Sequence, residues 1–172
     1  MRTLVVGAGA TGGYLGARLL DAGRDVTFLV RPRTAERLAL EGLRVRGSDG
    51  TTTTHEVSAL TADRLHTARD LVVVAVRGAA LASAVGDLAP AMGPGSQVLP
   101  LLNGVSHLGA LSGAFGPDAV LGATARLAAT LLPDGTIIEQ APGAALEIGR
   151  PRGPHPGTTS STRSGASSRS TA

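Results

Sequence analysis

The stretch MRTLVVGAGATGGYLGARLLDAG, residues 1–23, decides the fold. Arg2 to Val6 is a short apolar run rich in β-branched residues, it breaks at Gly7, and a helix-forming pattern runs from about Ala10 to Gly23. That order predicts strand, tight turn and helix. The turn carries Gly7, Gly9 and Gly12 as G-x-G-x-x-G, and each glycine has a separate physical task. Gly7 permits a sharp turn, Gly9 leaves the backbone bare toward a diphosphate, and Gly12 lets the helix lie close on the strand. The helix N-terminus then presents unpaired N–H groups and the positive end of its dipole to a phosphate. The inner face of the helix is small (Gly12, Gly13, Gly16, Ala17), and a second strand follows within one βαβ length. The motif therefore reads as dinucleotide-binding rather than as an ordinary glycine turn.

Working outward, Asp25 to Val30 is that second strand, and the residue standing at its end decides cofactor choice. NAD-binding units carry an Asp or Glu there, about twenty residues beyond the glycines, for the ribose 2′-hydroxyl, whereas an arginine suits a 2′-phosphate. This chain reads Arg31-Pro32-Arg33 with no carboxylate. NADP is favoured over NAD. Thr34 to Glu41 has helical spacing ending at Gly42, and Leu43–Arg46 and Thr51–Val57 flank the turn cluster Gly47-Ser48-Asp49-Gly50, so a hairpin is expected. His55 within it reads as an exposed strand residue, and no histidine or carboxylate cluster has metal-ligand spacing.

Asp70 to Val76 is the most apolar run, as for a central parallel strand buried on both faces. It ends at Arg77-Gly78, where ligands bind in open α/β sheets, which places Arg77 to meet an anion. A helix from Ala79 to Leu88 is followed by a Gly/Pro loop and a further buried strand, Gln97 to Leu102. That strand ends in Asn103-Gly104, again on the ligand edge. Later strands are expected near Thr136–Gln140 and Ala144–Ile148.

Composition bounds the function. The chain has 172 residues, enough for one domain with a core, and with 2% aromatics that core must be Val, Leu and Ala. Cysteine is absent, which excludes disulfides, thiolate metal sites and a cysteine nucleophile. Lysine is absent too, and Asn103 is the sole asparagine. With Arg150, Arg152, Arg163 and Arg169 set aside the net charge of +3 turns slightly negative, and no basic stripe interleaved with aromatics argues for nucleic acid. No run has signal-peptide or membrane-spanning character, so a cytoplasmic protein with no membrane partner is expected.

Taken together, GAGATGGYLGARL, Arg31, VVVAVRGAAL, LLNGVSHLGAL, GATARLAATLLPDGTI and PGAALEIGRPRG resemble the N-terminal domain of the ketopantoate reductase (2-dehydropantoate 2-reductase) family over roughly residues 1–153. The resemblance implies a Rossmann-type, doubly wound, mostly parallel α/β domain over 1–150. It implies that Gly7, Ala8, Gly9, Ala10, Thr11 and Gly12 cradle the NADPH diphosphate and that Arg31 pairs with the 2′-phosphate. It further implies that Asn103 contacts cofactor and substrate near the nicotinamide and that Ala128 lines the nicotinamide side. Arg77 falls where the family commonly has lysine; it keeps the charge but cannot release a proton near neutral pH.

The family continues into a helical second domain that supplies a catalytic lysine, and no residue of this chain takes that role. Residues 151–172 hold no Leu, Ile, Val, Met or aromatic residue, and such a tail is expected to be disordered. A natural low-complexity extension and a frameshift in a GC-rich gene are both open as its origin, and the abrupt loss of pattern favours the frameshift. The expected function is NADPH-dependent reduction of a 2-oxo acid such as ketopantoate, in a chain that alone turns over negligibly. A non-catalytic NADP-binding remnant, or a subunit completed by a separately encoded helical domain, is the alternative. Another NAD(P)-dependent dehydrogenase with a similar first domain is a third reading. Without the second domain, Leu146 and Ile148 should lie partly exposed and favour self-association.

Overall fold

The computed structural model describes residues 1–151; residues 152–172, on which most of the tail reading falls, lie outside the described part. Five parallel strands form the central sheet: β1 (Arg2–Val6), β2 (Asp25–Leu29), β5 (Ser58–Leu60), β6 (Leu71–Val74) and β7 (Gln97–Pro100), in the order β5-β2-β1-β6-β7. The chain winds outward from β1 in both directions, which is the doubly wound, Rossmann-type arrangement. Its first connection is α1 (Ala10–Asp21), and its second begins with α2 (Pro32–Glu41). Pro32 opens α2, two residues earlier than the helical spacing alone suggests, because proline's fixed φ suits the first helical position.

A second sheet stands beside the first, in the order β4-β3-β10-β9, built from β3 (Leu43–Arg46), β4 (Thr52–His55), β9 (Ala129–Leu131) and β10 (Ile137–Glu139). The expected hairpin is its β3–β4 pair, closed by Gly50 at φ +85° and by the Thr51 N–H donating to Asp49 Oδ1 at 2.9 Å. A two-stranded antiparallel ribbon, β8 (Gly122–Arg126) with β11 (Ala145–Gly149), completes the strands. Helices α3 (Leu81–Leu88) and α4 (Ser106–Phe115) cover the other face of the central sheet.

The period-two alternation of the central strands divides the core into two layers. Leu4, Val6, Val72, Val74 and Val98 join Leu88 of α3 and Leu111 of α4 on one side. Val5, Phe28, Val73 and Leu99 join Ala17 of α1, Leu43 and Ile137 on the other. Phe28, fully buried, fixes how near α1 can come: a Cβ on Gly16 would stand 2.3 Å from its ring, so only glycine fits there.

One expectation needs correction. His55 is not an exposed strand residue: its side chain is 10% exposed, and Nδ1 lies 3.6 Å from Asp21 Oδ1 at the end of α1. β4 runs beneath that helix end, which the hairpin pattern does not reveal. The strands β5, β8 and β9 were also unmarked in the sequence. Leu146 is half-buried and Ile148 is 52% exposed, as expected for β11. Among the described residues no helix is long and apolar enough to cross a membrane.

Candidate functional site

The strand registers create the site. Val6 pairs with Leu29 on one side and Val74 on the other, and Val74 pairs with Pro100, so four parallel strands end flush. Hydrogen bonds carry the alignment one step further, from Gly7 N–H to Leu29 O at 2.9 Å, Ala75 N–H to Val6 O at 3.0 Å and Leu101 N–H to Val74 O at 2.8 Å. The chain leaves this common edge at Gly7, Val30, Ala75 and Leu101. The glycine turn, Arg31, Arg77 and Asn103 therefore emerge along one sheet edge, within three residues of the strand ends.

Each motif glycine meets the condition that its expected role requires. Gly7 adopts φ +97°, a conformation open to glycine and strained for other residues. Gly9 is the N-cap of α1, and nothing lies within 4 Å of where its Cβ would stand. At Gly12 a Cβ would meet Gly7 O at 2.1 Å and Ala75 Cβ at 2.9 Å, so α1 touches the turn and the end of β6 through bare backbone. Among the described residues the N–H groups of Gly9, Ala10, Thr11 and Gly12 donate to no protein acceptor, while Gly13 N–H already bonds Gly9 O at 2.8 Å. Four free donors, an open approach over Gly9 and the positive helix end suit a diphosphate. The residues present thus fit a dinucleotide. Ala8 is buried beneath the turn and packs in the α1-side core layer.

Arg31 is exposed and serves as the backbone N-cap of α2, its carbonyl accepting from Thr34 N–H at 2.9 Å and Ala35 N–H at 3.0 Å. Neither Arg31 nor Arg77 makes an ion pair among the described residues, so both guanidinium groups stay available to an anion. Asn103 occupies an exposed bend between β7 and α4. Ala128 lies exposed between β8 and β9, with its carbonyl accepting from Gln140 N–H at 2.8 Å. Its neighbour Leu127 and Leu101 of the β7 exit line one cleft of about 440 Å³ with Tyr14, Arg18, Glu139 and Leu146.

One polar group in this cleft escaped the sequence reading. The Tyr14 hydroxyl donates to Glu139 Oε1, and Ser48 N–H donates to Glu139 Oε2 at 3.3 Å. These bonds hold the Glu139 carboxyl below its usual range, while burial, followed by that bond to the carboxylate, raises the Tyr14 phenol. The Arg18 guanidinium stands 5.4 Å above the Tyr14 ring. The lone tyrosine on a helix face otherwise made of glycine and alanine was the one available signal.

Fold and glycine turn define a Rossmann-type α/β domain with an open approach over Gly9 at its switch point. The model of the family described as Ketopantoate reductase PanE/ApbA matches residues 3–153, and the chain belongs to that family. It is 38% identical over 124 residues to an uncharacterised oxidoreductase, YkpB, of Bacillus subtilis, covering 71% of this chain and 40% of the relative. It is 35% identical over 155 residues to a 2-dehydropantoate 2-reductase of Halobacterium salinarum, covering 89% and 50% respectively. The crystal structure of 2-dehydropantoate 2-reductase from Geobacter metallireducens superposes with a TM-score of 0.78 at 32% identity, covering 87% of this chain and 49% of that one. The chain thus spans about half the length of these relatives.

Proposed function

We propose that this chain is the NADPH-holding half of a 2-oxo acid reductase, with 2-dehydropantoate (ketopantoate) as its substrate in the assembled enzyme. The observation that carries the reading is the flush strand edge, where four unpaired amides at Gly9 to Gly12 face an open approach and an unneutralised Arg31 stands one strand away. Gly7, Ala8, Gly9, Ala10, Thr11 and Gly12 would hold the diphosphate. Arg31 would take the 2′-phosphate, since no carboxylate stands at the end of β2 to receive a 2′-hydroxyl. Arg77 adds positive charge on the other side of the glycine turn from Arg31, Asn103 offers its amide to the nicotinamide amide and substrate, and Ala128 borders the ring. The bound nicotinamide supplies the hydride.

Reduction of a ketone also needs a proton for the developing alkoxide. Lysine is absent and arginine holds its proton near neutral pH, so on this reading the general acid, a lysine in the family that the sequence resembles, comes from another segment. That segment is the second half of the relatives, carried in cis or by a separate chain. Residues 1–150 are accordingly the cofactor domain of the proposed enzyme. A non-catalytic NADP-binding remnant is the competing reading, favoured by the absence of lysine.

Titration of the purified chain with NADPH and NADH tests the first part: NADPH must bind, and more tightly than NADH. Ketopantoate-dependent NADPH oxidation should be negligible for the chain alone and appear when the helical half of a relative is added. Binding without restored turnover would leave the remnant reading standing; no NADPH binding would remove both.

A further inference from the structure

We propose that Asn103-Gly104 is a site of spontaneous deamidation, which converts the amide on the ligand edge into a carboxylate. Asn103 is the only asparagine of the chain, and the residue after it is glycine. Both are exposed and lie in a bend outside helix and strand. Gly104 has φ +80°, and nothing lies within 4 Å of where its Cβ would stand, so no neighbouring atom crowds this glycine. Its N–H, moreover, donates to no acceptor among the described residues. In a helix or strand that nitrogen would be tied to a carbonyl and held away from the side chain.

The chemistry is balanced and needs only water. Once hydroxide has removed its proton, the Gly104 nitrogen attacks Cγ of Asn103. A C–N bond forms, the bond to the side-chain nitrogen breaks, and ammonia leaves. Water then opens the five-membered imide at either carbonyl, giving aspartate when the side-chain carbonyl is attacked and isoaspartate when the main-chain carbonyl is attacked. Nothing is oxidised or reduced. Gln97 and Gln140, the only other side-chain amides, precede Val98 and Ala141 and would need a six-membered ring, which closes far more slowly.

The product changes the site in two ways. A negative charge appears on the edge where Arg31 and Arg77 offer positive charge, three residues before α4. The isoaspartate form also inserts a methylene into the main chain at the entrance to that helix. The functional consequence rests on the proposed NADPH site, since a new carboxylate there opposes a polyanionic cofactor and an anionic 2-oxo acid; the reaction itself does not depend on it.

The test is ageing of the full chain in mildly acidic, neutral and mildly alkaline buffer, followed by intact mass and by peptide mapping of the Gly78–Arg126 fragment for isoaspartate. One dalton gained per chain, confined to Asn103, faster in proportion to hydroxide and absent from Asn103→Gln, is the expected result. No gain in alkaline buffer, while a free Leu-Asn-Gly-Val peptide deamidates beside it, would overturn the proposal. So would an equal gain in Asn103→Gln. NADPH titration separates the two readings: fresh chain should bind several-fold more tightly than aged chain, with Asn103→Asp reproducing the part of the loss that comes from the new charge. Failure of fresh chain to bind NADPH would refute the cofactor assignment and leave the mass result intact.

Discussion

Replacing Gly9 and Gly12 by alanine, one at a time, should separate the two tasks of the glycine turn. Gly9 has φ −80° and an empty surround, so alanine is conformationally allowed there. The cost to the fold is that of a poorer N-cap, about 1 kcal/mol or less. For a protein of this size that moves the unfolding midpoint by about 2–4 °C. The added methyl nevertheless stands where a diphosphate must approach the amides. Losing one charge-assisted hydrogen bond of about 1.5–3 kcal/mol weakens NADPH binding roughly 10- to 100-fold. Gly12→Ala acts in the opposite sense. Its Cβ would lie 2.1 Å from Gly7 O, a backbone atom, so α1 must retreat by roughly 1 Å from β1 and β6. Overpacking of about 3 kcal/mol, less about 1 kcal/mol regained from helix propensity, leaves about 2 kcal/mol of destabilisation. The midpoint should fall by about 4–8 °C. Thermal unfolding and fluorescence titration read the two effects separately. If Gly9→Ala binds NADPH like the parent, the turn does not hold the diphosphate; if Gly12→Ala is as stable as the parent, the close approach of α1 is wrong.

Arg31→Ala should weaken NADPH binding about tenfold or more while leaving NADH binding unchanged, and an equal loss for both would remove the 2′-phosphate assignment. Burial holds the His107 imidazole below its ordinary value, so the folded state favours its neutral form. The stability this gives is complete above the unfolded value of about 6.5 and is lost as pH falls from there toward the depressed folded value. The unfolding midpoint should therefore drop more between about pH 7.5 and about pH 5.5 in the parent than in His107→Leu, and parallel curves would refute it. Ile148 and Leu131 are 52% and 43% exposed on β11 and β9, and sedimentation should show concentration-dependent association that Ile148→Thr reduces. A clean monomer at high concentration would count against that expectation.

The central strands β1, β2, β6 and β7 were legible because each is an apolar run flanked by a turn signal, and strands buried on both faces need little else to declare themselves. β5 was hidden because Ser58-Ala59-Leu60 is a three-residue edge strand with one polar member. β8 and β9 were hidden for another reason. Gly122–Arg126 and Ala129–Leu131 gain their strand form from partners at residues 145–149 and 137–139, and pairing of that kind leaves no local period. The site divides along the same line. Gly7, Gly9 and Gly12 are set by local backbone needs and can be read from spacing alone. The Tyr14–Glu139 bond joins residues 125 apart and follows only from where the second sheet rests on α1. His55 was misread for the same reason, since it lies against Asp21 of a helix from which three elements separate its strand.

The flush ending of the parallel strands explains why half the length of a relative can still present a coherent edge. Each element on that edge is positioned by something inside residues 1–103: Gly7 by its bond to Leu29, Arg31 by the start of α2, Arg77 by the end of β6 and Asn103 by the end of β7. The sheet beneath them is already buried on both faces by the described residues, with Val5, Val72, Val73 and Val98 each 1% exposed or less. The cleft beside α1 differs. Its walls come from α1, β10, β11 and the segments following β7 and β8, and it meets the strand edge only at Leu101. On the proposed reading cofactor affinity should therefore be measurable in this chain alone, since its determinants are local to the sheet, whereas the lysine-free sequence offers no titratable side-chain amine for proton delivery. The proposed reading thus makes binding and turnover separable, and both have to be measured.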